Sequence, residues 1–181
     1  MSDTETLTKW TIDPAHSEIG FKVKHLVIST VTGQFGEFSG SLEQTSDDFE
    51  GADVEFEADV NSIQTGNEDR DGHLKSEDFF KADEYPKLTF QSTSMEKTGE
   101  NSYNLNGDLT IRGTTKPVSL DVTHGGTVQD PYGNTKAGFE ISGTINRKEF
   151  GLEWDAVTEA GSVVVGDKVT LQLDVQLTRE E

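Results

Sequence analysis

Four histidines, at positions 16, 25, 73 and 124, are the side chains best suited to acid–base or metal chemistry in this chain, and their spacing supports neither. There is no His-Glu-x-x-His, no histidine pair at helical spacing and no cysteine, so a zinc site has no ligand set. Glu68-Asp69-Arg70-Asp71-Gly72-His73 superficially resembles an acidic calcium loop but lacks its ligand spacing and terminal Glu. A solvated, capped turn with an ion pair from Arg70 to a carboxylate is the plainer reading. Gly33-x-x-Gly36 and Gly125-Gly126 precede no helical pattern, and no Gly-x-Ser-x-Gly is present. No catalytic residue, no metal and no cofactor are therefore expected, and enzyme is the minority reading. Two features stand above this background. His25 is in phase with Ile19, Phe21 and Val23, which points it to the dry side of a strand, where a polar ring needs a partner. Arg147 and Lys148 stand together just past a segment carrying Ile141 and Ile145, in a chain with few cations. They serve either as an ion bridge to Glu149 or Glu153 or as the polar rim of a pocket. His16 and His73 read as loop hydrogen-bonders.

The elements that must position these groups are strands. In Asp53-Val54-Glu55-Phe56-Glu57-Ala58-Asp59-Val60 every even residue is apolar and every odd one acidic, the period-2 pattern of one dry and one wet face. Val169, Leu171, Leu173, Val175 and Leu177 repeat it near the C-terminus, and Ile19/Phe21/Val23, Leu105/Leu109/Ile111, Val118/Leu120/Val122 and Phe139/Ile141/Ile145 extend it. Short polar connections at residues 98–101, 112–117, 130–134 and 166–167 separate alternating runs as antiparallel hairpins require. Asn106-Gly107 keeps the phase of Leu105 and Leu109, so it predicts a relaxed bend inside one long strand. The exception is residues 67–82, where Asn67 can cap a short helix and Leu74, Phe79 and Phe80 can plug a cavity.

Eight strands are expected near residues 17–25, 33–42, 53–60, 86–95, 102–112, 117–127, 136–146 and 168–178. One-faced antiparallel strands either stack as a sandwich or close into a barrel. Phenylalanines in the dry phase, with Gly33, Gly36, Gly40, Gly107 and Gly143 to relieve the bends of closure, favour the barrel by a narrow margin.

Composition bounds the function. The 181 residues fit a single domain spanning 1–181, and Leu, Ile, Val and Phe form 24% of them, enough for a folded chain but a thin core. With 34 acidic against 15 basic residues the formal charge is −19, which excludes the cationic footprint of nucleic-acid binding. Acids spread over the whole chain with little Lys suggest adaptation to concentrated salt, a halophilic protein whose self-repulsion is screened. The N-terminal residues show no export signal and no apolar run reaches membrane-spanning length, so a cytoplasmic protein without a transmembrane segment is expected.

Several motifs in order carry a specific likeness: Trp10-Thr-Ile-Asp-Pro-Ala-His16-Ser17, Phe21-x-Val23-x-His25-Leu, Ser29-Thr-Val-x-Gly33-x-Phe35, Arg70-Asp-Gly-His73-Leu, Phe79-Phe80, Tyr85-Pro-x-Leu-x-Phe90, Gly107-Asp-Leu-Thr-Ile-x-Gly113-x-Thr-Lys-Pro117 and Ile145-Asn-Arg147-Lys-x-Phe150-Gly-Leu. From residue 10 to about 177 the chain resembles the YceI-like, polyisoprenoid-binding family. The resemblance implies an all-β, eight-stranded, lipocalin-like antiparallel barrel with a short helical plug near residues 67–82. Its apolar lumen would bind, and transport or store, an isoprenoid lipid such as a quinone or polyprenyl derivative. The lumen is then expected from Phe21, Val23, Phe56, Leu88 or Phe90, Leu109, Ile111, Phe139, Ile141, Ile145, Phe150 and Trp154, with His25, Arg147 and Lys148 at the polar head group. Alternatives are a barrel enzyme using His25 on an apolar substrate, and a stress-related barrel whose axis is packed core. Self-association into a homodimer is a further expectation, since a lipid mouth exposes apolar surface.

Overall fold

In the computed structural model the described residues are 8–25, 29–44, 48–77, 79–152 and 165–180. Among these residues eleven strands are formed: β1 (Thr8–Ile12), β2 (Glu18–His25), β3 (Ser29–Phe35), β4 (Phe38–Gln44), β5 (Asp53–Asp59), β6 (Ile63–Gln64), β7 (Lys87–Lys97), β8 (Ser102–Ile111), β9 (Thr114–Gln129), β10 (Thr135–Asn146) and β11 (Val165–Arg179), with one α-helix, α1 (Glu68–Lys75). Every pairing is antiparallel. The sheet closes because β11 pairs with β2 through Leu173↔Ile19 and with β1 through Leu177↔Ile12. On the other side β1 pairs with β4 and β2 with β3, while β5 and β6 flank a 3-10 turn at Val60–Ser62. Thus β1 with β2, β3 with β4, and β5 with β6 are three bent strands, and with β7 to β11 they make a closed eight-stranded barrel. The first bent strand starts at Thr8, earlier than its periodicity suggested, because Trp10 and Ile12 lie beyond the corner where the phase is interrupted.

That corner is built by Asp13. Its carboxylate accepts the Ala15 amide at 3.1 Å, capping the 3-10 turn Pro14–His16, and also receives His16 Nδ1 at 2.9 Å and Lys136 Nζ at 3.2 Å. The His16 hydrogen bond, with help from Lys136, holds Asp13 below the usual carboxylate range. Lys136 also donates to Thr178, so one cation ties the corner to β10 and β11 where the barrel closes.

The alternation has its expected consequence. Val54, Phe56 and Ala58 of β5, and Val169, Leu171, Leu173 and Val175 of β11, belong to or pack against the core cluster. Asn106-Gly107 lies inside β8 as a continuous strand. Two connections are shorter than expected. β8 and β9 join through Arg112-Gly113 alone, both at positive φ (50° and 73°), the geometry of a tight two-residue hairpin, so Pro117 lies within β9. Gly166 and Asp167 are inside β11, where a register shift between Val165 and Val169 absorbs the irregularity.

The strand glycines act by leaving room for rings. Gly33 and Gly107 do not have positive φ; a methyl added at Gly33 would overlap the Phe21 ring, and one at Gly107 would overlap the Phe90 ring and the Gln91 carbonyl oxygen. Because backbone as well as ring blocks the Gly107 site, Gly107→Ala is expected to cost roughly 2 kcal/mol. That is a fall of about 4–8 °C in Tm for a chain of this size. Urea unfolding measures it, and an unchanged midpoint would remove this account of the glycine.

Asn67 caps α1 by accepting the Arg70 amide at 3.0 Å, as expected. Arg70 differs from expectation in pairing with Thr65: Nε reaches its hydroxyl at 2.8 Å and Nη2 its carbonyl at 2.6 Å, while Asp71 accepts the Thr65 amide at 2.9 Å. The helix itself buries no residue. The plug is made at its C-terminal end and just beyond, with Phe79 buried and Leu74 and Phe80 packed against the core.

Candidate functional site

Closure of one-faced strands leaves an axial cavity of about 220 Å³, with side chains from strands all round the barrel on its wall and no polar atom exposed there among the described residues. Phe21, Val23, Phe56, Leu88, Phe90, Leu109, Ile111, Phe139, Ile141 and Ile145 line it, each at the inward phase of its strand. Phe150 does not. It lies one turn past the end of β10, in the 3-10 turn Arg147–Phe150, and is 1% exposed in the core instead of on the wall. Trp154 lies outside the described residues, as does the side chain of His25; the His25 backbone pairs with Ser29 and Val165.

The wall also holds residues that periodicity did not single out. Phe35 and Leu42 come from bent strands whose phase is broken by Gly36 and Gly40, and Leu74, Phe79 and Phe80 come from the plug. A pair of phenylalanines just after a capped helix was the available signal for the last two. Phe80 packs edge-on against Phe35, with centroids 6.2 Å apart, and Phe35 lies 5.7 Å from Phe21, so three rings continue the wall into the plug.

Arg147 reaches the wall, but its charge is occupied. It is 3% exposed, donates from Nη1 to the Leu152 carbonyl at 2.6 Å, stands 3.8 Å from Asp167 through Nη2, and has Cζ 6.0 Å from the Phe79 ring centroid. Lys148 is off the wall and reaches the same Asp167 oxygen at 3.2 Å. Sequence proximity pointed to Glu149 or Glu153 as partner. The shared carboxylate instead comes from β11, brought there by the Asn146↔Lys168 register; Glu153 is outside the described residues. A residue that sequence reasoning missed, Arg112, donates from Nη1 to both the Phe79 carbonyl (3.1 Å) and the Gly151 carbonyl (3.0 Å), pinning the plug to the turn after β10.

Away from the plug, aromatic side chains gather in a cluster. Trp10 donates to Gln44 Oε1 at 3.0 Å and packs 5.9 Å from Phe49, whose amide donates to the Tyr103 hydroxyl at 3.3 Å. His124 stacks on Phe139 at 5.0 Å, meets Phe49 edge-on at 5.0 Å, and makes a 2.9 Å hydrogen bond with Thr127 Oγ1. Burial holds its ring below the ordinary imidazole value. Between the unfolded value of about 6.5 and the lower folded one, the unfolded chain binds the extra proton, so this stability contribution is full above pH 6.5 and is lost as pH falls below it. Wild type is therefore expected to lose more urea resistance than His124→Gln between pH 7.5 and 5.5. Equal losses would show that His124 does not contribute.

Among the described residues no group of three or more His, Asp and Glu could hold a metal ion, and no helix is long and apolar enough to cross a membrane. What the arrangement offers chemically is an apolar space inside the barrel.

The comparisons with known proteins agree with this architecture. The UPF0312 protein of Staphylococcus aureus strain USA300 is 36% identical over 97% of this chain and 100% of its own length. The Campylobacter jejuni YceI protein is 35% identical, with a TM-score of 0.73 over 93% of this chain and 96% of that one. A Saccharophagus degradans domain described as polyisoprenoid binding and implicated in plant cell wall breakdown shares the fold at a TM-score of 0.66 and 16% identity, covering 94% of this chain and 98% of that one. The pattern of the YceI-like domain matches residues 10–177, nearly the whole barrel from Trp10 to Leu177, and the chain belongs to the YceI-like family.

Proposed function

We propose that this protein binds an isoprenoid-type lipid inside the barrel, carrying or sequestering it without turning it over. The observation that carries the reading is the axial cavity of about 220 Å³ whose wall exposes no polar atom among the described residues. Moving a hydrocarbon chain from water into such a space gains roughly 25 cal/mol per Å² of apolar surface removed, with no need for a catalytic group. Its membership of the YceI-like family, and the likeness to a domain described as polyisoprenoid binding, support the ligand class.

A neutral head group such as a quinone fits better than a diphosphate. Arg147 and Lys148 already face Asp167, and a chain at −19 has few other cations to set beside an anion in a low-dielectric mouth. The test is extraction of lipid from protein purified without detergent, with the extract identified by mass spectrometry. A stoichiometric isoprenoid is the expected result. An empty lumen, or buffer molecules alone, would overturn the reading.

A further inference from the structure

The hairpin of β9 and β10 reaches past the rim of the barrel. The pairing of β9 with β8 ends at Thr123↔Ser102, and after the His124 amide bonds the Asn101 carbonyl at 2.8 Å the strand runs on to Gln129 beside β10 alone. Every residue from Gly125 to Gln129 is exposed, yet none is charged. Between Asp121 and Glu140 only Asp130 and Lys136 carry charge, so this stretch is neutral and the whole −19 of the chain lies elsewhere. Both charges are also occupied. Asp130 accepts the Tyr132 and Asn134 amides, each at 2.9 Å, which fixes the turn, and Lys136 is tied to Asp13 and Thr178. On this arm stand the two large apolar side chains that are exposed among the described residues, Val128 at 65% and Tyr132 at 88%.

We propose that the arm docks the protein on the surface of a lipid bilayer, with Tyr132 at headgroup level. The choice of partner rests on the reading that the cargo is an isoprenoid lipid, which has to be collected from or returned to a membrane. Charge selects the same partner. A second copy would bring another chain of −19 alongside, whereas a zwitterionic bilayer adds no net charge and meets the one neutral stretch of the molecule. Tyrosine suits that boundary, since its ring sits in an apolar layer while its hydroxyl stays wet. Two such side chains bury less apolar surface than a myristoyl chain does, so the contact is weak and reversible.

The experiment is co-sedimentation with vesicles that contain no isoprenoid, either phosphatidylcholine alone or phosphatidylcholine with about 30% phosphatidylglycerol, in 0.2 M and 2 M KCl, with melting curves confirming that each variant is folded. Half-maximal binding to phosphatidylcholine is expected at roughly millimolar lipid. Tyr132→Asp and Val128→Asp should each weaken it by about tenfold or more, while Tyr132→Trp binds at least as well as wild type. Gln91→Glu, which adds the same charge on the exposed face of β7, should bind as wild type. The anionic vesicles should bind at least about tenfold more weakly in 0.2 M KCl and recover in 2 M, where the field is screened. No sedimentation with either vesicle, or arm variants that bind like wild type, would overturn the docking proposal and leave the isoprenoid reading standing, because lipid extraction tests that reading in the absence of vesicles. Arm substitutions that split a dimer in sedimentation equilibrium, without vesicle binding, would also overturn it and assign the arm to a second copy.

Discussion

In Ile141→Glu, isoprenoid uptake at pH 7 is expected to drop by at least about a hundredfold, equivalent to about 3 kcal/mol. Ile141 sits at the middle of β10, paired with Val122 on one side and Leu173 on the other, and faces the cavity. A carboxylate there has no cation on the described wall except the guanidinium of Arg147, which already serves Leu152 and Asp167. In the empty barrel, water entering the lumen can solvate the charge, so the fold survives. A hydrocarbon ligand must expel that water and leave the charge bare, which costs several kcal/mol. The same desolvation raises the pKa of the new carboxyl, so acidification to pH 5 neutralises it and should restore part of the uptake. Ile141→Val keeps the wall apolar and should bind nearly as wild type. Uptake by Ile141→Glu that matched wild type at pH 7 would place the ligand elsewhere than the lumen.

Stability is expected to fall by several kcal/mol on dilution from molar salt to 10 mM, lowering Tm by about 10 °C or more. The chain carries nineteen excess negative charges, and two unit charges about 20 Å apart in water repel by roughly 0.2 kcal/mol, summed over very many pairs. At 1 M salt the screening length is about 3 Å and nearly all of this vanishes, whereas at 0.01 M it is about 30 Å and the whole barrel repels itself. Unfolding spreads the charges and relieves the strain. Ion pairs among the described residues are few and mostly surface contacts, such as Lys87 with Glu57 and Lys97 with Asp48, and such pairs contribute little each. Thermal melts across a salt series measure the effect, and a Tm constant from 10 mM to 2 M would contradict adaptation to brine.

Much of the barrel was legible in the sequence because period-2 alternation is a local property. A residue's face follows from the parity of its position once the strand is known, so Phe56, Leu109, Phe139 and Ile141 could be assigned to the lumen before any pairing was known. Parity fails where a strand bends. Trp10 and Ile12 escaped the strand count because Asp13 and the Pro14–His16 turn interrupt the phase. Phe150, expected in the lumen through its place in the Ile145–Leu152 motif, falls in a 3-10 turn past the end of β10, in which side chains no longer alternate, and is buried in the core. The plug was half legible: the Asn67 cap is a local signal, but Arg112, which holds Phe79 in place, is distant in sequence from both carbonyls it binds.

The sequence by itself therefore determined most of the strands, their inward and outward faces away from the bends, the acidic character of the chain and the absence of cysteine chemistry, since each depends on residue type and spacing of at most a few positions. The tertiary structure decided what long-range register alone controls. Leu177↔Ile12 and Leu173↔Ile19 close the sheet into a barrel instead of leaving a sandwich. Asn146↔Lys168 brings Asp167 to Arg147 and Lys148, turning the expected head-group cations into partners of a carboxylate. Whether an apolar face becomes packed core or an open lumen depends on how far opposite walls stand apart. That distance is fixed by the number and tilt of strands around the closed sheet, which no local pattern encodes.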